Sequence, residues 1–178
     1  MKKLILLTLF TILGTTVASA QLLKFGVKAG ANFSTLSGAD ADGYDGLTSF
    51  HAGALAEIKI FENFAVQPEL LYSSQGAKVE GFEDTKLDYV TVPVLAKFYL
   101  ITDKLSLEAG PQFAFLVNDN VEALAETKSF DFAAIGGLGF QFTDNVFAQA
   151  RYVVGLTDTT EDAEIKNTTI QLSLGYRF

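Results

Sequence analysis

Cysteine and tryptophan are missing from the 178 residues, and histidine and methionine occur once each. Without cysteine there is no disulfide, no thiolate metal centre and no acceptor for a lipoprotein anchor. Basic residues are few, 13 against 21 acidic, for a formal net charge of −8. Displacing the counterions of nucleic acid needs the opposite balance, so nucleic acid is excluded as a partner. No apolar run reaches the roughly twenty residues a membrane-spanning helix requires. Serine- and proline-rich linkers and low-complexity tracts are also wanting, which leaves a second domain nowhere to sit. There is no P-loop, GxSxG elbow or HExxH motif, so no catalytic, cofactor or metal residue set is legible.

Export is legible at the start of the chain. Lys2 and Lys3 precede an apolar run from Leu4 to Leu13, and Val17-Ala18-Ser19-Ala20 supplies small residues for a peptidase. The pattern predicts a signal peptide over 1–20, cleaved before Gln21, and one mature domain over 21–178. Loss of Lys2 and Lys3 takes the net charge from −8 to −10.

The mature chain alternates. In IQLSLGYRF, Ile170 to Phe178, every second side chain is apolar (Ile170, Leu172, Leu174, Tyr176, Phe178), the period of a strand with two unlike faces. Comparable segments predict eight strands: Leu23 to Ser34, Ser49 to Phe61, Phe64 to Ser74, Leu87 to Leu100, Leu105 to Val117, Phe130 to Phe142, Val146 to Leu156, and Asn167 to Phe178. Tight turns (Glu62-Asn63, Ile101 to Lys104, Thr143 to Asn145) alternate with long connections (Thr35 to Thr48, Gln75 to Lys86, Asn118 to Ser129, Thr157 to Lys166). Short on one side and long on the other is the pattern of an all-β, eight-stranded antiparallel up-and-down barrel crossing an outer membrane. The long segments hold 13 acidic residues against Lys78, Lys86, Lys128 and Lys166, a balance of −9. Solvation alone suffices to explain charged loops. Asp40, Asp42 and Asp45 lack the spacing and closing Glu of a calcium loop.

Alternation alone leaves two barrels open, a soluble one with its apolar face inward and a membrane one with that face outward. Glycine separates them. The polar phase carries Gly26, Gly30, Gly53, Gly110, Gly137, Gly139, Gly155 and Gly175, and the apolar phase carries only Gly136. On a solvent face those glycines would weaken the strands for nothing; in a narrow lumen they make room. The polar phase also carries charges of both signs. Lys28, Glu57, Glu69, Lys97, Glu108 and Arg151 lie at similar distances from the tight turns, which predicts a layer of ion pairs plugging the barrel. Glu69 and Glu108 then act as ionised partners of cations rather than as an acid and base pair. Asp88 falls on the outward phase and fits only above the lipid. Outward aromatics gather at strand ends, Phe25, Phe64, Phe98, Phe142, Tyr176 and Phe178 at one rim and Phe33, Phe50, Tyr72, Phe130 and Tyr152 at the other, as interfacial girdles do. Pro68, Pro93 and Pro111 remove ladder donors and predict local bulges.

Further stretches carry a family resemblance: FGVKAGAN at 25–32, QPELLYSSQG at 67–76, YVTVPVLAKF at 89–98, GPQF at 110–113 and ARYVVGL at 150–156. Together they make the mature chain resemble the PorT-like family of small outer-membrane β-barrels, relatives in architecture of the OmpA and OmpX barrels. The closing Tyr176-Arg177-Phe178 resembles the aromatic signal such barrels present to the barrel assembly machinery, with Tyr176 and Phe178 as its aromatic members. The resemblance implies localisation in the cell outer membrane and says little of activity, since the secretion role of the founding member need not transfer.

The expected protein is therefore a monomer with outer-membrane lipid and the assembly machinery as partners, no cofactor, a plugged lumen, acidic extracellular loops, and a structural or surface-interaction role. Three alternatives are a lipid-modifying enzyme, a narrow pore and a secretion-accessory barrel. The enzyme would use His51 with Ser49, Ser73 or Ser74 as nucleophile, but only if both groups faced the lipid.

Overall fold

The computed structural model describes residues 22–38, 44–79, 85–119, 130–156 and 165–178. The predicted signal peptide lies outside them, as do Asp40, Asp42, Asp158, Glu161, Asp162 and Glu164. Among the described residues every regular element is a strand: β1 (Leu23–Gly38), β2 (Tyr44–Phe61), β3 (Phe64–Val79), β4 (Thr85–Ile101), β5 (Leu105–Asp119), β6 (Phe130–Gln141), β7 (Val146–Gly155) and β8 (Ile165–Arg177). Each pairs antiparallel with its sequence neighbours, and β8 closes on β1 to complete the barrel. The chain's last residue takes part in the seam, where the Phe178 amide donates to the Phe25 carbonyl at 2.8 Å.

At the tight-turn end the strand limits fall within a residue of those read from the sequence. At the other end β1 runs past Ser34 to Gly38, β2 starts at Tyr44 rather than Ser49, and β3 runs past Ser74 to Val79. Smaller extensions put the start of β4 at Thr85, the end of β5 at Asp119 and the start of β8 at Ile165. Apolar alternation marks only the part of a strand that has an apolar medium on one side. Backbone pairing continues beyond it, so Asp45, Lys78, Lys86 and Asp119 stand in strands rather than loops.

The prolines also differ from expectation. The irregularities in register lie at Gly46/His51, Lys59/Phe61, Asp88/Tyr89 and Tyr99/Ile101, none at a proline. Instead the ladder omits pairs beside each one and resumes in the same register. β3 and β4 are paired at Pro68↔Val94 and again at Leu71↔Thr91, and β4 and β5 at Pro93↔Gln112 and again at Ala96↔Ala109. A missing donor costs a barrel a hydrogen bond without requiring an extra residue. In the second gap the chains come so close that a Cβ on Gly110 would lie 2.1 Å from the Val94 carbonyl oxygen.

The register fixes the barrel's stagger. Asn32 lies opposite Gln171, and the same row runs through Arg151, Gly137, Glu108, Lys97, Ala65 and Lys59. Lys59 bonds to the carbonyl of Leu22, so the row returns ten residues down β1 from where it began. This shear of ten over eight strands is what tilts the strands and sets the diameter.

The apolar phase faces outward throughout. Val27, Leu70, Leu107, Leu138, Leu172 and Leu174 are 47 to 63 % exposed, while Lys28, Glu69, Glu108 and Arg151 are at most 4 % exposed. A continuous apolar belt of this extent suits acyl chains rather than water. Aromatic pairs sit toward its edges, Tyr176 with Phe178 and Phe140 with Phe142 at the tight-turn rim, and Phe50 with Tyr72 at the other. Asp88 is half-buried on the outward face, where the Tyr72 hydroxyl donates to its carboxylate. Gly136, on the outward phase, has open space where its side chain would be.

Candidate functional site: the barrel lumen

Inward-facing alternation on eight strands brings ionic side chains to one core. Lys28 meets Glu69 at 2.8 Å, and Glu69 receives two hydrogen bonds from the Arg151 guanidinium at 2.8 and 2.9 Å. The other side of that guanidinium donates to Glu108, Nε at 3.0 Å and Nη2 at 2.8 Å. Glu108 lies 3.5 Å from the ammonium of Lys97, which lies 2.8 Å from Glu57, and Glu57 accepts from Arg177. The result is one chain of alternating sign, Lys28, Glu69, Arg151, Glu108, Lys97, Glu57, Arg177, with a cation at each end.

Seven strands contribute one member each to this chain, and β6 contributes glycines. A Cβ on Gly137 would meet the Arg151 side chain at 2.8 Å, and one on Gly139 would meet the Glu108 carboxylate at 2.5 Å. β6 thus supplies the space into which β5 and β7 project. Uncharged donors and acceptors complete the shell. Gln149 donates to both oxygens of Glu108, Gln67 accepts from Lys97, and the Tyr99 hydroxyl donates to Glu57 at 2.7 Å. Buried charges are tolerated only when paired and hydrogen-bonded in this way.

All six residues read from the sequence as an ion-pair layer belong to the chain. Arg177 is the member that reading left out, although its inward phase was visible. Gln67, Gln149 and Tyr99 were missed because neutral polar residues carry no sign to match. The lumen also holds apolar groups, among them Leu55, Leu71, Leu95, Ile135, Phe147 and Val153. Phe147 packs its ring 4.9 Å from the Arg177 guanidinium. Lys59 stays at the rim, 2.8 Å from Asp103 in the turn, where φ of 55° suits an Asp. Among the described residues no group of His, Asp or Glu is placed to hold a metal ion.

Farther from the tight turns an uncharged hydrogen-bonded group is centred on His51. Asn32 uses its amide nitrogen on the Ser74 carbonyl at 2.7 Å, the Ser73 hydroxyl at 3.0 Å and the Phe50 carbonyl at 3.2 Å. Its Oδ1 therefore accepts, and His51 Nδ1 donates to it at 2.7 Å. That tautomer leaves Nε2 bare to accept from the Ser173 hydroxyl, also at 2.7 Å. Both ring nitrogens are thereby taken, and Ser49, Ser73 and Ser74 hold neither. Gly30 lies between His51 and Ser173 in the register. Having no side chain, it lets the ring cross over it to reach the next strand but one.

Serine, histidine and asparagine in this order are the components of an activated nucleophile. Here they point inward, with Ser173 at 4 % exposure and His51 at 0 %, so the lipid outside cannot reach them.

Residues 19–161 match the protein family described as "Outer membrane protein beta-barrel domain". No curated protein sequence matches the chain. Among solved structures, the chain is similar to Neisserial surface protein A, NspA, at 14 % identity over 86 % of this chain and 97 % of that one, with a TM-score of 0.64. It is also similar to Ail, the attachment invasion locus protein of Yersinia pestis, at 20 % identity over 87 % of this chain and 98 % of that one, with a TM-score of 0.54. A second Ail structure, in complex with the heparin analogue sucrose octasulfate, gives 19 % identity over 88 % and 99 % and a TM-score of 0.55. At such identities the likeness is one of fold.

Proposed function

The chain belongs to the family of outer-membrane proteins with a β-barrel domain and is a small barrel of the cell outer membrane; from that premise we propose that its lumen is closed and that its role is structural or one of surface interaction, borne by acidic extracellular loops. The observation that carries this reading is the alternating chain of seven charges, which joins seven strands across the interior. About eight strands enclose only enough space for their own side chains, and here that space holds ion pairs and packed apolar groups. Planar-bilayer recording of the purified, folded protein tests it, with no defined conductance expected. Reproducible steps would make it a narrow pore instead.

The loop segments suit a cationic partner. As read from the sequence, the long segments hold 13 acidic residues against four lysines, a balance that disfavours a polyanion such as the sucrose octasulfate seen with Ail. The barrel is read as a monomer, exported by a signal over 1–20 and delivered to the assembly machinery through Tyr176 and Phe178. The stretches that resemble the PorT-like family favour that branch without transferring its link to secretion. A lipid-modifying role has in its favour only the order of Ser173, His51 and Asn32. A mass change in outer-membrane lipid that depends on the protein and disappears in His51→Ala would establish that role.

A further inference from the structure

Three buried oxygens in the lumen have no hydrogen-bond partner among the described residues: Thr91 Oγ1 on β4, Gln112 Oε1 on β5 and Gln171 Oε1 on β8. The side chains that carry them are at most 2 % exposed. An unpaired polar atom in such a place is costly, and in folded proteins it is ordinarily met by an ordered water.

The barrel's stagger brings the three to one level. Three strands on from Gln171, its row reaches Glu108. A shear of ten over eight strands raises the residue at equal height by about four over that distance, which is Gln112. Gln112 faces Pro93 on the next strand, and Thr91 is the next inward residue along β4. The same rule puts His51, Leu71, Ile135 and Val153 at this height. Two amide oxygens and a hydroxyl thus share a layer with three apolar side chains, which offer them nothing.

We infer that this layer binds water: a small cluster of long-resident molecules in the lumen, donating to Gln112 Oε1 and Gln171 Oε1 and bonded to Thr91 Oγ1. Water fits because it supplies donors to two acceptors and either role to the hydroxyl. A metal cation fits less well, since the chain of charges beneath holds four cations to three carboxylates. Reversing either amide would not remove the need, because it would present an unpaired N–H in place of the oxygen.

The inference rests on the closed-lumen reading, and its test separates the two. The full barrel is folded in lipid nanodiscs and magnetisation transfer from water is measured at the side-chain amides of Gln112 and Gln171. Cross-peaks with the sign of slowly exchanging water are expected at both. Their absence, with no conductance in planar bilayers, overturns the inference and leaves the closed lumen standing. Cross-peaks from rapidly exchanging water, with conductance steps, overturn both. Thr91→Val and Gln171→Met supply a second readout in the urea unfolding midpoint. A bound cluster loses a partner in either variant, so the midpoint falls. A midpoint that stays or rises shows the oxygens to be dry, because removing an unpaired polar atom relieves a penalty, and that result also overturns the inference.

Discussion

Gly30 shows how much can depend on a missing side chain. A Cβ there would lie 1.9 Å from the Leu172 carbonyl oxygen and 2.8 Å from the His51 ring. Gly30→Ala must therefore push β8 away from β1 or turn His51 from Ser173. A loss of about 3 kcal/mol, the upper range for overpacking a filled interior, is expected in urea titrations of the barrel in lipid vesicles. The charge chain makes a second prediction about single residues. Lys28 is an end member, and Lys28→Met leaves three cations facing three carboxylates, with Glu69 still held by Arg151. Glu108 is the middle member, and Glu108→Gln leaves four cations to two carboxylates and cuts the chain in half. The same titration should find Lys28→Met mild and Glu108→Gln destabilising by about 3 kcal/mol, as when one partner is taken from a buried pair. Equal losses would contradict the chain. That these residues face inward was readable from alternation; which pairs with which was not, because partners such as Lys28 and Glu69 on β1 and β3 depend on a stagger that no single strand reveals. The serine beside His51 escaped for the same reason, since Ser173 is distant in sequence and adjacent only after closure.

For whole strands, the sequence was informative where lipid imposes alternation and silent beyond it. The tight-turn ends were legible to within a residue, and the far extensions of β1, β2 and β3 were not, because pairing there leaves no apolar pattern. The prolines teach a related lesson: a strand can lose a donor and keep its register, which only the partner strand discloses. β8 carries the prediction proper to this scale. Its Phe178 side chain is 72 % exposed and its ring lies 5.7 Å from that of Tyr176, so truncating it removes little from the folded interior. If the closing aromatics serve as an assembly signal, Phe178→Ala slows accumulation of the heat-modifiable folded form in cells while leaving the urea midpoint of the purified barrel unchanged. A lowered midpoint with normal accumulation would assign the residue to stability instead.

At the level of the molecule, the orientation of the two faces governs everything else. A photoactivatable apolar label dissolved in the acyl region should mark Val92 and Leu172 and spare Lys97 and Arg151; the reverse would describe a water-soluble carrier. Closure, sidedness of the turns and the outward belt were all readable from alternation and from the phase of the glycines, because a one-residue slip would turn every side chain to the wrong medium. The ten-residue return of the register was not readable, yet it sets the girth of the wall together with the number of strands. Trimming lumen side chains would therefore empty the bore without widening the backbone cylinder around it. A descendant of this chain with a wider wall would first need a duplicated hairpin, and only then could its lining be shaped around larger solutes.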